Sequence, residues 1–565
     1  MHQNLNSFSF FFFFFSFFLL PLVSAARMTG LAKEDAKSKR YDRQIRIWGR
    51  DGQRRLETAR VCLLGADADG AEAMKNLVLG GVASYTIVDG DEVKPWDLAD
   101  NFLLDKESLG KSKAECVSRL LQEFSEEVSG KFINERPDQL IASEPGFFKD
   151  FTLVLVHGRI GHEVLVSLEK TCRSHGVKLI FGRSYGLFGM VRISAEEHDV
   201  IESKPENALL DLRVNRPWKE LAEYAGKFDM ESLDDMTYKH VPFVVLLLKA
   251  AELWKQGHQG ALPADRQQQR EFKQFVRGLQ RSKGEGFVDE GDNFKEAVDN
   301  AHYLWGGSSI PSELLEYFGS SSCTPTVDSS DFWIVMAAVK AFVDNGDGAL
   351  PLPGSIPDMT ATTDLYLDLK RLYERKADSD VARVEANVKE ILVSLALDKN
   401  RISTEYIRLF CKNTSHLKVI KYPTIEEERQ SITGSKSTYL KSLLLSEDTA
   451  ENAFVYILMH ACDKFEEINT QQPGIFDSEL EADKERLKGI VNSIMSEAGL
   501  PTIPLSEEYI HEVCRMGSGG IHSVEAVVGG ILAQEAIKLI TNQFVPLKGT
   551  LVYNAIRGTT LNLGM

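Results

Sequence analysis

The chain lacks any cysteine pattern that builds a disulfide scaffold or a metal site. Its 565 residues include seven cysteines, an odd number spread widely along the chain. None of them forms a Cys-x-x-Cys pair or lies with histidines at the spacing of metal ligands. This usage is typical of a reducing compartment and argues against a disulfide-stapled secreted domain.

Positive charge is also in deficit. The chain has 65 Lys and Arg against 82 Asp and Glu, for a formal net charge of −17. This balance argues against broad contact with nucleic acid or acidic membranes and favours partners with basic surfaces. Solvated helix faces are one explanation of the charge, and a dedicated acidic docking surface is the other. With 43% hydrophobic and 26% charged residues, the composition is that of an ordinary multidomain globular protein.

Long apolar runs are absent beyond the first residues. Phe8–Val23 is a phenylalanine-rich run followed by a segment that resembles a small-residue cleavage site. The run is short for a membrane span, and no Lys or Arg precedes it, so the basic start of a secretory signal is missing. We interpret residues 1–27 as a signal-like or spurious extension and expect Met28 to be the functional start. The expected location is the cytoplasm and nucleus.

A βαβ pattern lies near the N-terminus. Val61–Leu64 is typical of a buried strand, the glycine loop 65–70 leads into a helical segment, and Ser84–Asp89 reads as a second strand ending in an acid. Asp89 lies about 20 residues past the loop, where a nucleotide ribose would be held. The helix that begins at the loop has an N-terminal dipole suited to phosphate.

The glycine loop itself carries acids. Between Gly65 and Gly70, the position of the middle glycine is Asp67, and Asp69 follows shortly after. A glycine there lets the backbone approach a phosphate closely, whereas a carboxylate blocks that approach and repels the ligand. We interpret the loop as part of a nucleotide fold that has lost its nucleotide. An unrelated strand–turn–helix with two glycines is the alternative.

Longer motifs favour the first interpretation. Tyr41–Gly49 precedes the first strand, Lys75–Val82 follows the loop, Val88–Asp91 closes the second strand, and Val528–Lys538 lies near the other end. Together these motifs resemble the adenylation domains of ubiquitin-type activating enzymes. From Lys39 onward the chain resembles the regulatory, non-catalytic subunits that serve the neddylation (Rub) pathway. The resemblance implies an α/β fold, a discontinuous Rossmann-like (ThiF-type) pseudo-adenylation domain with a large, mostly helical inserted domain.

The expected domains follow from this pattern. Residues 28–192 form the first part of the pseudo-adenylation domain, residues 193–500 a helical domain that corresponds to a catalytic-cysteine domain, and residues 501–565 the second part. The middle region contains three pairs of helical segments separated by Gly/Pro breaks. The pairs are Val241–Trp254 with Gln267–Leu279, Asp331–Val343 with Thr363–Lys376, and Asn452–Ile468 with Leu480–Ala498.

The resemblance also indicates what this half of the enzyme has lost. Catalytic members carry an arginine that contacts the ATP phosphates, and its position here is Asp100, a reversal of charge. They also place a magnesium-binding aspartate after a later strand, whereas no acid follows Phe151–Val156 here before Glu163. Lys111 and Lys113 match nucleotide positions but are insufficient alone. We expect no bound cofactor or metal and a degenerate pocket at Gly65, Asp67, Gly70, Asp89 and Asp100.

Arg43 belongs to a Tyr-Asp-Arg-Gln motif. The resemblance implies that this arginine is donated in trans to the partner's ATP site, where it would neutralise phosphate charge. An ordinary ion pair near Asp42 is the alternative.

The remaining candidate functional residues are cysteines and residues of a loop near the C-terminus. Cys323 superficially resembles a thioester cysteine, but no basic neighbour in sequence would lower its pKa, so we expect a loop thiol. Cys411 and Cys462 are expected in the core. Residues 517–522 lack a glutamate that relatives carry, and His522 is expected to be structural. Gly529 and Gly530 are expected to let helices approach closely.

The implied function belongs to a heterodimer. The catalytic partner would adenylate the ubiquitin-like modifier with Mg-ATP and capture it as a thioester, while this chain completes the fold, contributes Arg43 and helps to hold modifier and conjugating enzyme. There are three alternative functions. A self-sufficient adenylating enzyme is opposed by Asp67 and Asp100, and a dinucleotide-dependent oxidoreductase would need an intact glycine loop. A pure scaffold or adaptor would tolerate Arg43→Ala. No nucleic acid or membrane partner is expected.

Overall fold

A computed structural model describes residues 37–157, 160–206, 209–283, 287–288, 291–306, 309–501, 506–517 and 519–564. The predicted extension over residues 1–27 and the start at Met28 lie outside the described residues. The chain divides into two compact units, residues 1–54 and 55–565. Helix α1 (Asp42–Thr58) contains a kink at Gly49, whose φ is 72°. Among the described helices, none is both long and apolar enough to cross a membrane.

A mixed sheet forms the centre of the second unit. Its eight strands run in the order β12-β11-β6-β5-β4-β1-β2-β3, and the five from β5 to β3 are parallel to their neighbours. The described strands are β1 (Arg60–Leu64), β2 (Ser84–Val88), β3 (Ser129–Ile133), β4 (Leu153–Val156), β5 (Lys178–Tyr185), β6 (Phe188–Ser194), β7 (His198–Val200), β8 (Ser282–Lys283), β9 (Phe287–Val288), β10 (Lys418–Ile420), β11 (Thr550–Asn554) and β12 (Thr559–Leu563).

The two ends of the chain build this sheet together. β4 and the last four residues of β1 are apolar and buried, which is expected for parallel strands covered on both faces. β11, from the far end of the chain, pairs antiparallel with β6, Thr550 opposite Arg192. The predicted fold class, a discontinuous α/β domain with a large helical insert, is therefore confirmed. The boundaries at residues 192 and 500 stay predictions.

Helices cover the sheet and fill the middle of the chain. In the second unit they are α2 (Ala68–Gly80), α3 (Asp97–Asp100), α4 (Lys113–Phe124), α5 (Pro137–Ser143), α6 (His162–Ser174), α7 (Lys219–Gly226), α8 (Asp235–Lys239), α9 (Phe243–Gly257), α10 (Arg266–Gly278), α11 (Asp292–Asp299), α12 (Tyr303–Gly306), α13 (Ser312–Gly319), α14 (Asp331–Asp344), α15 (Thr363–Ser394), α16 (Thr404–Asn413), α17 (Ile425–Thr433), α18 (Ser437–Leu444), α19 (Ala450–Asn469), α20 (Leu480–Glu497), α21 (Ser506–Met516) and α22 (His522–Thr541). Short 3-10 turns lie at Lys106–Ser108, Pro145–Asp150, Asn300–His302, Ser321–Cys323, Thr414–His416 and Asp477–Glu479.

The three predicted helix pairs are present as α9 with α10, α14 with α15, and α19 with α20. The first pair lies in one hydrophobic cluster of the middle region and α14 in another, and α15 contributes to both, with Leu369 in the first and Val384 in the second. The third pair shares its cluster with the sheet, where Phe454 of α19 lies with Phe188 of β6 and Val552 of β11. This pair therefore covers the antiparallel end of the sheet.

A buried ion pair joins the helical region to the sheet. Nε of Arg192, on β6, lies 2.7 Å from Oε2 of Glu428, on α17. Oε1 of Glu428 accepts hydrogen bonds from Tyr456 (2.9 Å) and from Thr550 (2.6 Å). Burial alone would raise the pKa of Glu428, but Arg192 and these hydrogen bonds outweigh it and lower the pKa. We call these four residues the Glu428 junction.

Helix α22 approaches α2 closely at one glycine. A Cβ built on Gly529 would lie 2.6 Å from the backbone oxygen of Asp69, whereas a Cβ on Gly530 would meet nothing within 4 Å. The prediction that both glycines permit close approach is right for Gly529 and wrong for Gly530. The contact places the first half of α22, from the far end of the chain, against the start of α2.

Candidate functional site

The glycine loop turns back on β2 and uses Asp89 as its anchor. Gly65 has a φ of 88°, and its N–H donates to the oxygen of Val88 (2.9 Å). The carboxylate of Asp89 accepts from the N–H of Ala66 (2.8 Å) and of Asp91 (2.8 Å). Burial raises the pKa of Asp89 to about 6, with Lys113 opposing the rise. The acid predicted to hold a ribose is thus engaged by the loop's own backbone.

Gly70 owes its place to close packing. A Cβ there would lie 3.0 Å from Cδ1 of Leu63 and 3.2 Å from the oxygen of Gly65. The second glycine of the motif therefore lets the first turn of α2 lie against β1 and the loop, a structural need that survives without any nucleotide.

The aspartate at the middle glycine position is held by a buried lysine. Nζ of Lys113 lies 2.9 Å from Oδ1 of Asp67 and 3.0 Å from Oδ1 of Asp97. Burial opposes the charge of Lys113, but Asp67, Asp89 and Asp97 outweigh it and raise its pKa. Because these acids surround the ammonium group, the lysine that matches a nucleotide position has counter-charges within its own chain. Lys111, the other match, is exposed.

A histidine missed by the sequence analysis lies beneath the loop. Nδ1 of His157 lies 2.8 Å from Oδ1 of Asp69, and Nε2 lies 3.6 Å from Oδ2 of Asp67. Burial would lower the pKa of His157, but the carboxylates of Asp69, Asp67 and Glu525 outweigh it and raise the pKa to about 9. Oγ of Ser184 donates to Oδ2 of Asp69 (3.1 Å). Its position in the sequence could have identified it. His157 directly follows β4, and ligands of open parallel sheets bind at the carboxyl ends of the strands.

Asp100, the charge-reversed position, lies at the end of α3. Its backbone oxygen accepts a hydrogen bond from Nδ1 of His522 (2.8 Å), which gives that histidine a structural contact. Burial, followed by the negative charges of Asp97 and Asp67, raises the pKa of the Asp100 carboxyl to about 6.

Glu525, in the first turn of α22, is the second residue that the sequence analysis missed. Its side chain is buried, and its Oε2 has no hydrogen-bond partner among the described residues. A Cβ on Gly520 would overlap its carboxylate, at 1.7 Å from Oε1. Burial, then Asp100 and Asp69, raises the pKa of Glu525 to about 8, with His157 opposing. Residues 517–522 contain no glutamate, whereas Glu525 lies three residues after them.

These residues form an acidic pocket. We use that name for the carboxylates of Asp67, Asp69, Asp89, Asp97, Asp100 and Glu525 together with Lys113 and His157. Acids outnumber bases among these described residues, so the pocket disfavours polyphosphate. The described part of the chain has no group of three His, Cys, Asp or Glu side chains placed to hold a metal ion.

Arg43 lies near the start of α1 and is exposed. Its neighbour Asp42 pairs instead with Arg46, Nη2 lying 2.8 Å from Oδ2. Arg43 itself forms no ion pair with the residues that the structure describes. The alternative in which Arg43 pairs with Asp42 is therefore not the observed arrangement, and the role in trans stays a prediction.

All seven cysteines are free and buried. Cys323 ends a 3-10 turn and lies in the same hydrophobic cluster as Phe332, and burial raises the pKa of its thiol. It lies in the connection between α13 and α14, as expected of a loop thiol, but it is buried there and is poorly suited to act as a nucleophile. Cys411 and Cys462 lie in hydrophobic clusters, as predicted.

Comparison with known proteins gives one consistent result. The model of the ThiF family matches residues 41–563. The NEDD8-activating enzyme E1 regulatory subunit AXL of Arabidopsis thaliana is 43% identical over 518 residues, which cover 92% of this chain and 97% of that protein. The regulatory subunit AXR1 of the same plant is 43% identical, with 92% and 94% covered. The NEDD8-activating enzyme E1 regulatory subunit of Xenopus laevis is 37% identical, with 93% and 98% covered.

Proposed function

The chain belongs to the ThiF family, among the NEDD8-activating enzyme E1 regulatory subunits, and from this premise we propose that it is the non-catalytic half of a heterodimeric activating enzyme. The catalytic partner binds Mg-ATP, adenylates the ubiquitin-like modifier and loads it as a thioester. This chain completes the enzyme and helps to hold the modifier and the conjugating enzyme.

The acidic pocket is the observation that carries the non-catalytic assignment. Like charges 4 Å apart repel by about 4 kcal/mol at an effective dielectric constant of 20, so a triphosphate beside Asp67 and Asp100 would be strongly disfavoured. Lys113, which could offset this repulsion, already contacts Asp67 and Asp97. The fold of an adenylating domain is retained here without its phosphate chemistry.

Arg43 is the proposed contribution to catalysis. Its side chain is exposed, and Arg46 occupies the neighbouring carboxylate of Asp42. A guanidinium group placed in the partner's ATP site would stabilise phosphate charge during adenylation. The second candidate function is a pure scaffold, which would need no arginine at this position.

A thioester assay separates these functions. ATP-dependent loading of the neddylation modifier would be measured for this chain alone, the candidate catalytic subunit alone, the pair, and the pair with Arg43→Ala. We expect loading only by the pair, with a loss of at least about 100-fold in the variant. Arg50→Ala, which removes another exposed arginine of α1, is the matched control and should load normally.

The outcomes have distinct meanings. Loading that ignores Arg43→Ala would reduce the chain to a scaffold. Loading by this chain alone would contradict the non-catalytic assignment. Calorimetric titration of the purified chain with Mg-ATP should give negligible heat, and micromolar binding would overturn our interpretation of the acidic pocket.

A further inference from the structure

The six carboxylates of the acidic pocket are satisfied to different extents. Asp67 and Asp97 contact Lys113, Asp69 contacts His157, and Asp89 accepts two backbone N–H groups. Oε2 of Glu525 is different, because it is buried without a hydrogen-bond partner in the described part of the chain. The side chain of Glu525 is only 7% exposed.

An unpaired buried carboxylate is costly, and native proteins rarely retain one without a reason. The isolated chain relieves the cost by keeping a proton on Glu525, whose pKa is raised to about 8 by burial and then by Asp100, Asp69 and Asp67 against His157. A cation placed between Glu525 and Asp100 would remove the need for that proton. The pocket is therefore complementary to positive charge.

The surroundings favour a cation that arrives on a protein. No three described His, Cys, Asp or Glu side chains are placed to hold a metal ion. Trp96 and Phe102, which flank α3, are 66% and 42% exposed. The Phe102 ring lies 6.4 Å from that of His522, whose Nδ1 donates to the Asp100 backbone. Exposed aromatic side chains near a cluster of charged residues are typical of protein–protein interfaces.

We propose that the acidic pocket receives an arginine or lysine side chain of the partner subunit, held between Glu525 and Asp100. The degenerate nucleotide site would then serve to recognise the partner subunit. The cationic side chain would bind where the acids repel a phosphate. This inference rests on the proposed function, because its partner is the catalytic subunit of the proposed heterodimer. The exposed aromatic residues Trp96 and Phe102 would pack around the inserted side chain.

The test is the affinity of the full chain for the candidate catalytic subunit, measured by calorimetry between pH 6.5 and 8.5. For the wild-type chain we expect tighter binding as pH rises, because Glu525 must lose its proton to pair with the cation. Glu525→Gln should weaken binding at pH 8.5 by at least about 30-fold and should lose most of this pH dependence. At pH 7, wild-type association should release a proton, seen as a dependence of the heat on the buffer.

Glu252→Gln, a matched change at an exposed position of α9, should leave affinity and pH dependence unchanged. Circular dichroism of each variant confirms the fold. If Glu525→Gln binds as the wild type does at every pH, the inference is wrong while the proposed heterodimer stands. If the wild-type chain does not bind the subunit, the proposed function itself fails. The chain alone would also be titrated with MgCl₂ and with spermidine. Binding that is lost in Glu525→Gln would overturn the inference, because the ligand of the acidic pocket would then be a free cation.

Discussion

Two buried glutamates in this chain have opposite environments. Glu428 is 1% exposed, pairs with Arg192 and accepts hydrogen bonds from Tyr456 and Thr550, and its pKa is lowered. Glu525 is 7% exposed, its Oε2 has neither a hydrogen bond nor an ion pair with the described residues, and its pKa is raised to about 8. Similar burial thus yields a permanent charge at one site and a retained proton at the other. The difference lies in the neighbouring charges: Glu428 has the Arg192 guanidinium 2.7 Å away, whereas the charges that act on Glu525 are mainly those of other acids, opposed by His157.

The largest expected effect tests how much the ion pair of the Glu428 junction contributes to stability. Glu428→Ala leaves the buried Arg192 guanidinium without its counter-charge, so we expect a loss of about 3–5 kcal/mol of stability. Chemical denaturation, monitored by fluorescence and circular dichroism, would measure it. Glu426→Ala, an exposed glutamate on the same helix, is the control and should change stability by less than about 0.5 kcal/mol. Equal effects of the two substitutions would contradict the assignment of Glu428 as a structural residue.

A smaller effect tests the contact that brings α22 to the acidic pocket. Gly529→Ala would place a Cβ 2.6 Å from the backbone oxygen of Asp69, so we expect a loss of about 1–3 kcal/mol. Gly530→Ala, at an open position of the same helix, should instead stabilise the chain by up to about 1 kcal/mol. The difference between the two thermal midpoints is the measurement. A stabilising Gly529→Ala would mean that α22 does not approach α2 as closely as observed.

The smallest effect concerns Glu525 in the isolated chain. Its folded pKa of about 8 exceeds its ordinary value of 4.5, so the folded state holds a proton that the unfolded state releases between these values. The contribution of Glu525 to stability is therefore fully present below about pH 4.5 and declines as pH rises to about 8. The glutamine of Glu525→Gln stays neutral, so the stability of the variant relative to the wild type should increase as pH rises from 4.5 to 8. At pH 8 the variant should be more stable by about 1–2 kcal/mol.

Denaturation of both chains at pH 5, 6.5 and 8 checks this sign. Glu428 contributes no slope in this range, because its lowered pKa gives stability that is fully present above pH 4.5 and is lost only as pH falls further, through the folded pKa. A Glu525→Gln chain that is less stable than the wild type at pH 8 would show that the carboxylate has a stabilising partner within the chain.

Much of the fold was predictable because the motifs are local. The predicted strands Val61–Leu64 and Ser84–Asp89 correspond to β1 (Arg60–Leu64) and β2 (Ser84–Val88), since buried apolar runs identify strands well. The prediction for α15 stopped at Lys376, whereas the helix continues to Ser394 because no Gly or Pro follows to end it.

The candidate site was predictable only in part. Asp67 and Asp100 were recognised because a single residue type at a motif position decides whether phosphate can approach. His157 and Glu525 were missed because neither belongs to the glycine motif. Glu525 reaches the pocket only through the packing of α22 on α2 at Gly529, a contact between residues far apart in the chain.

The sequence by itself determined the α/β class, the helical insertion and the replacement of phosphate-binding groups by acids, because these depend on periodicity and on residue type at motif positions. Only the tertiary structure decided which acids are neutralised. Lys113 contacts both Asp67 and Asp97, His157 contacts Asp69, and Oε2 of Glu525 has no hydrogen-bond partner among the residues that the structure describes. Electrostatic energies depend on the distances between the charged groups and on their burial. For these residues both are set only when the two ends of the chain pack together in one domain.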